Sequence, residues 1–110
     1  MIEIVQEFVV HEEARGQFEL AFGPGGAWSR LFARAAGFRG ITLLRDVGDR
    51  RRYLMIEVWD SAAHRERALA EHGAEHAHLE ADLVAWAESR SELGAFTVLA
   101  AAGVRPARRS

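Results

Sequence analysis

The groups able to do chemistry are few, and they cluster. Four of the five histidines, His64, His72, His76 and His78, fall between Arg52 and Trp86. There is no cysteine, which excludes disulfides, zinc–thiolate sites and iron–sulfur clusters. All fourteen basic residues are arginine, so no lysine can form a Schiff base or serve as a general base. Ser29, Ser61, Ser89, Ser91 and Ser110 have no nucleophile-elbow context. Imidazole, carboxylate and amide remain. His72 and His76 stand four apart, a spacing that can bind a metal. The run HGAEH, however, lacks the Glu directly after the first His that the zinc-protease pattern needs. Spacing fixes no third ligand, Glu80 included, and no metal site is assigned. Two other readings stay open. Both histidines are interior residues bonded to neighbours, or they meet a ligand as neutral imidazoles, acting in acid–base chemistry or as axial ligand to a heme iron.

These histidines need a helix to position them. If residues 61–89 form one helix, advancing about 100° per residue clusters Leu69, His72, Gly73, His76, Leu79, Leu83 and Ala87 on one side. His72 and His76 then face the sheet, His78 faces solvent and His64 lies on the flank. Gly73 is the point where the run could kink. Asp60 or Ser61 caps its start. A strand over residues 51–59 feeds it, with Tyr53, Met55, Glu57 and Trp59 alternating with Leu54, Ile56 and Val58.

The first strand should lie beside that one. In Ile2–Val10 the residues Ile2, Ile4, Gln6, Phe8 and Val10 share one face. Gln6 is the polar exception there, either an amide bonded to backbone or a hydrogen-bond donor to a pocket ligand. Residues 12–22 read as a helix whose first-turn acids suit its dipole. Gly23-Pro24-Gly25-Gly26 breaks it. That glycine run follows a helix and has no Lys partner, which argues against phosphate binding. Trp28, Leu31, Phe32 and Ala35 resume helical spacing, with Gly37 as a left-handed cap. Trp28 is core or pocket wall. Residues 38–47 are a second strand with a bulge at Gly40, joined as a hairpin through Gly48-Asp49. Residues 94–102 are a fourth strand. The order βα(α)ββαβ is the split βαβ pattern, an α+β ferredoxin-like sandwich with a four-stranded antiparallel sheet. Both faces of the hairpin are largely apolar. Helices should cover one, and a second subunit's sheet the other.

The 110 residues make one domain, 1–102, followed by a basic tail, 103–110. A net charge of −2 argues against nucleic acid as the main partner. The opening MIEIVQEF has no basic segment leading into an apolar run, and no stretch approaches the ~20 apolar residues of a membrane span. A soluble cytoplasmic protein is expected.

Several stretches carry a family resemblance: FELAFGPGGAWSRLFARAAGFRGITLLRD, RYLMIEVWDSAAHRERAL, HAHLEADL and a late ELGAF. Within them Gly23, Pro24, Gly26, Trp28, Gly37 and Phe38, then Tyr53, Glu57, Trp59, Asp60 and Ser61, are the strongest markers. Over residues 2–99 the chain resembles the antibiotic biosynthesis monooxygenase (ABM) family of the dimeric α+β barrel superfamily. The resemblance implies a ferredoxin-like monomer whose open sheet face packs on a partner, closing a homodimeric barrel. It implies a pocket between sheet and helices for a small aromatic ligand. Some members oxygenate polycyclic quinol-type substrates with molecular oxygen and no metal or flavin; others bind and degrade heme; many have no established activity. A non-catalytic ligand-binding or structural dimer is therefore a third outcome. For the oxygenase the candidate residues are Gln6, His72 and His76, walled by Phe22, Trp28, Phe32 and Trp59, with no cofactor. For heme, His76-Ala77-His78 matches the family's His-x-His. The Asn and Trp that accompany it there are replaced here, near those positions, by Gln6 and Glu66.

Overall fold

The computed structural model describes residues 1–101 and 103. The expected basic tail lies outside the described residues, Gly103 apart. β1 (Ile2–Val10) buries Ile4, Gln6, Phe8 and Val10 on one face, as its period-two pattern requires. β2 (Phe38–Arg45) and β3 (Arg52–Trp59) form the antiparallel hairpin, with a register shift between Phe38 and Gly40 where the bulge was expected. The Asp46 carboxylate closes the turn by accepting from the Gly48 and Asp49 amides. With β4 (Ala87–Thr97) the four strands run β2-β3-β1-β4, all antiparallel. With its helices on one side, this is the ferredoxin-like α+β architecture read from the sequence.

The first helical segment is shorter than expected. Glu12–Ala14 make a 3-10 turn, and α1 (Arg15–Phe22) follows. α2 (Ala27–Phe32) comes after the glycine run. Gly26 is required there, because a Cβ would meet the Leu20 carbonyl oxygen at 2.2 Å. Gly37 takes a positive φ of 84° before β2, the left-handed conformation that glycine tolerates.

The long helix is two helices, which corrects the reading of residues 61–89 as one. Ser61 is the cap, its Oγ accepting from the His64 amide, and α3 spans Ala62–Glu71. The helix breaks at His72 (φ −116°, ψ 29°), one residue before the suspected kink, and α4 spans Gly73–Trp86. The fourth strand is also displaced. β4 runs Ala87–Thr97 instead of 94–102, because Ala87, Ser89 and Arg90 pair with Val10, Val9 and Phe8. Ladder pairing with β1 overrides the weak helical preference of AESRSE.

Aromatic rings fill the layer between helices and sheet. Tyr53 meets Phe18 at 4.8 Å, Phe18 meets Phe22 at 4.8 Å and Phe22 meets Trp28 at 5.0 Å. Phe32 continues the series to Trp59 at 5.3 Å. The opposite sheet face carries Val5, Val9, Leu54, Ile56 and Val58, all half-buried, with Leu44 and Phe96 exposed. Glu7, Arg52 and Asp46 form an ion-paired border on it. Among the described residues no helix is long and apolar enough to cross a membrane.

Candidate active site

The middle strand contributes an amide to the helix-covered face. Gln6 is 3% exposed, and its Oε1 accepts from Arg90 Nε at 2.9 Å. Arginine only donates, so the amide oxygen must face it. This fixes the Gln6 side chain, with its NH2 directed away from Arg90. Arg90 belongs to the part of β4 that sequence reasoning assigned to neither the helix, ending at residue 89, nor the strand, starting at residue 94. It also places its guanidinium 5.5 Å from the centre of the Phe8 ring and holds Glu80 of α4 through both terminal nitrogens.

Glu80 leads to the histidine. One helical turn earlier on α4, His76 Nε2 lies 3.4 Å from Glu80 Oε1, an ion-pair distance without hydrogen-bond geometry. The imidazole stands edge-on to Trp28 at 5.2 Å and lies 6.3 Å from Phe32. Gln6 and His76 are thus joined through Arg90 and Glu80. His76 Nε2 and Trp28 Nε1 are both buried with no hydrogen-bond partner. Buried polar groups rarely stay unpaired outside functional sites.

The expected wall residues are brought together. Phe22, Trp28, Phe32 and Trp59 are all buried, linked ring to ring, Trp28 and Phe32 at 6.0 Å. His72 does not join them. It sits at the α3–α4 break, half-exposed, with Nδ1 3.3 Å from Glu75. The break resets the helical phase on which its inward direction was based. His78 faces outward as expected, at the rim of a shallow cavity with Arg30 and Leu79. His64 packs behind Gly37 and its Nδ1 bonds Ser61 Oγ. His72 and His76 find no third ligand, since no cluster of three metal-binding side chains occurs among the described residues.

Sequence reasoning gave no chemical role to Glu57 or Arg90, and weighed Glu80 only as a third metal ligand. Glu57 is 1% exposed and accepts from Trp59 Nε1 at 2.9 Å and Arg65 Nε at 3.2 Å. The signal for it was there: period two puts Glu57 on the same face as Tyr53, Met55 and Trp59. A cleft of about 1020 Å³ opens between α1 and the β2–β3 hairpin, lined in part by Phe22, Pro24, Ile41, Leu43 and Tyr53. Phe22 connects this cleft to Trp28 and so to His76. The Tyr53 hydroxyl donates to Glu19 at the cleft wall. Burial, then that bond, push the phenol above its ordinary pKa.

Comparisons with known proteins bear on the family and the fold. The model of the antibiotic biosynthesis monooxygenase family matches residues 1–81. The chain is similar to SnoaB, a cofactor-independent oxygenase from Streptomyces nogalater. The two are 33% identical over 91% of this chain and 94% of that one, with a TM-score of 0.73. It is also similar to MhuD, a heme-degrader from Mycobacterium tuberculosis, at 26% identity over 94% and 100% of the chains and a TM-score of 0.67. No curated protein matches the sequence.

Proposed function

The chain belongs to the antibiotic biosynthesis monooxygenase family, and on that premise we propose that it is a cofactor-independent monooxygenase. Its substrate is a polycyclic aromatic of quinol or anthrone type, and its oxidant is molecular oxygen. The similarity to a cofactor-independent oxygenase supports this reading. The observation that carries it is the contact chain Gln6–Arg90–Glu80–His76 beside an aromatic wall. His76 Nε2 takes a proton from the substrate, and Glu80 lies where it offsets the charge the ring gains. The Gln6 NH2 donates to the phenolate oxygen. Burial among Phe22, Trp28 and Phe32 keeps water out. The electron-rich carbanion then reduces oxygen, a carbon–oxygen bond forms, and loss of water leaves the carbonyl. One methylene plus one O2 gives one carbonyl plus one water, so no external reductant is needed. The open face of the sheet, apolar along Val5, Leu54, Ile56 and Val58, is covered by a second copy of the chain.

Heme is the second reading, favoured by the free Nε2 of His76 and the similarity to a heme-degrader. An iron on that nitrogen needs space that Trp28 and Glu80 hold in this arrangement. The residues as packed do not fit the macrocycle.

Oxygen uptake with an anthrone-type substrate tests the proposal. Gln6→Ala and His76→Ala should each lower kcat by about 10²-fold or more, in the range of a lost acid–base group. Uptake that is absent in the wild type, or unchanged in both variants, refutes it. A Soret band on heme titration that disappears in His76→Ala supports the heme reading instead.

A further inference from the structure

One carboxylate oxygen inside the aromatic layer is unused. Glu57 Oε1 takes both available donors, Trp59 Nε1 and Arg65 Nε, while Oε2 is buried with no partner. Leaving such an oxygen bare costs more than an ordinary hydrogen bond is worth. The two bonds on Oε1 fix the side chain, so Oε2 cannot turn to share them.

Its position belongs to the candidate site. Glu57 pairs across the sheet with Ile4 on one side and Ile41 on the other. Gln6 pairs with Met55, two residues along the same face. Trp59, which holds Oε1, touches Phe32, and Phe32 touches Trp28 and His76. Ile41, the neighbour of Glu57 on β2, also lines the cleft beside α1. A carboxylate accepts, whereas the indole N–H of Trp28 donates. Besides His76 Nε2, the interior therefore offers one unspent acceptor and one unspent donor among packed rings. A ligand hydroxyl would satisfy the first and a ligand carbonyl the second.

We propose that Glu57 Oε2 accepts a hydroxyl of the bound ring system, so that the site selects a hydroxylated polycyclic ligand over its methyl ether. This rests on the reading of the site as one for quinol-type aromatics. The competing role is purely structural, with Arg65 and Glu57 tying α3 to β3 and an internal water on Oε2.

Tryptophan-fluorescence quenching by anthraflavic acid and by its dimethyl ether separates the two. The hydroxyls of that compound lie away from its carbonyls and are free to donate. Wild type should bind it about tenfold or more tightly than the ether, the penalty expected when a buried polar group loses its partner. Glu57→Gln can keep an oxygen for Trp59 and Arg65 and set an NH2 where Oε2 was. In that variant the preference should fall below about twofold. Equal affinities in wild type, or a preference retained in Glu57→Gln, overturn the proposal. If both compounds bind alike, only the role of Glu57 fails; if neither binds, the reading of the site fails with it. Should the variant not fold, the wild-type pair of affinities decides alone.

Discussion

Gln6 does its proposed work only if its amide is held one way round. An amide can turn its oxygen and nitrogen over, and a turned amide sets an acceptor against a phenolate. Arg90 prevents this because it has no acceptor to offer. Arg90→Met keeps an apolar side chain near Phe8 but removes the donors to Gln6 and Glu80. Its kcat in oxygen-uptake assays should fall about tenfold, about 1.4 kcal/mol of barrier. Arg90→Lys should recover part of that loss, since one ammonium can reach Gln6 or Glu80 but cannot fork to both. An Arg90→Met enzyme with wild-type kcat removes Arg90 from the site. The two ends of this chain were legible: Gln6 from period two, and His76 from helical phase. Its middle was not. Arg90 and Gln6 lie 84 residues apart, and nothing local in AESRSE marks it as strand. His72 was misread by the same phase argument that placed His76, because phase survives only along an unbroken helix.

At the scale of elements, each helix is tied to the sheet by a few specific groups. Tyr53 on β3 donates to Glu19 on α1, joining hairpin to helix at the cleft wall. Its folded pKa lies above the unfolded value, mainly through burial. Such a group contributes stability that is complete below about pH 10 and is lost as pH rises through the folded pKa. Tyr53→Phe keeps the ring and removes the bond. It should cost about 1 kcal/mol at neutral pH. It should also flatten the loss of thermal stability above about pH 10, as followed by circular dichroism melts. An alkaline limb as steep as in wild type contradicts this. The strand and helix types were readable from periodicity and from Gly23–Gly26, Gly37 and Ser61. Boundaries at the long helix were not. Helix and strand preferences around residues 86–93 are nearly balanced, and pairing with β1 decides them.

The whole molecule presents two unlike sheet faces, and among the described residues only one has its cover. The helix face is closed by aromatic packing. The other carries an apolar stripe through Val5, Leu54, Ile56 and Val58, with Leu44 and Phe96 exposed beside it. A contiguous apolar face of this kind marks an association surface, and a sheet of the same chain is the simplest surface to match it. The Glu7–Arg52–Asp46 border supplies a polar rim. Two copies related by a twofold axis would stack these faces about 10 Å apart, the spacing of packed sheets. The expectation was within reach of the sequence, because alternation in residues 51–59 makes both faces apolar. Ile56→Arg sets a charge in the middle of the stripe without touching Gln6, His76 or Glu57, which point to the opposite face. Light scattering at micromolar concentration should give twice the chain mass for wild type and the single-chain mass for Ile56→Arg. A wild-type monomer refutes the dimer. An Ile56→Arg monomer that still binds anthraflavic acid places the whole site within one subunit, whereas lost binding makes closure of the sheet pair a condition for it.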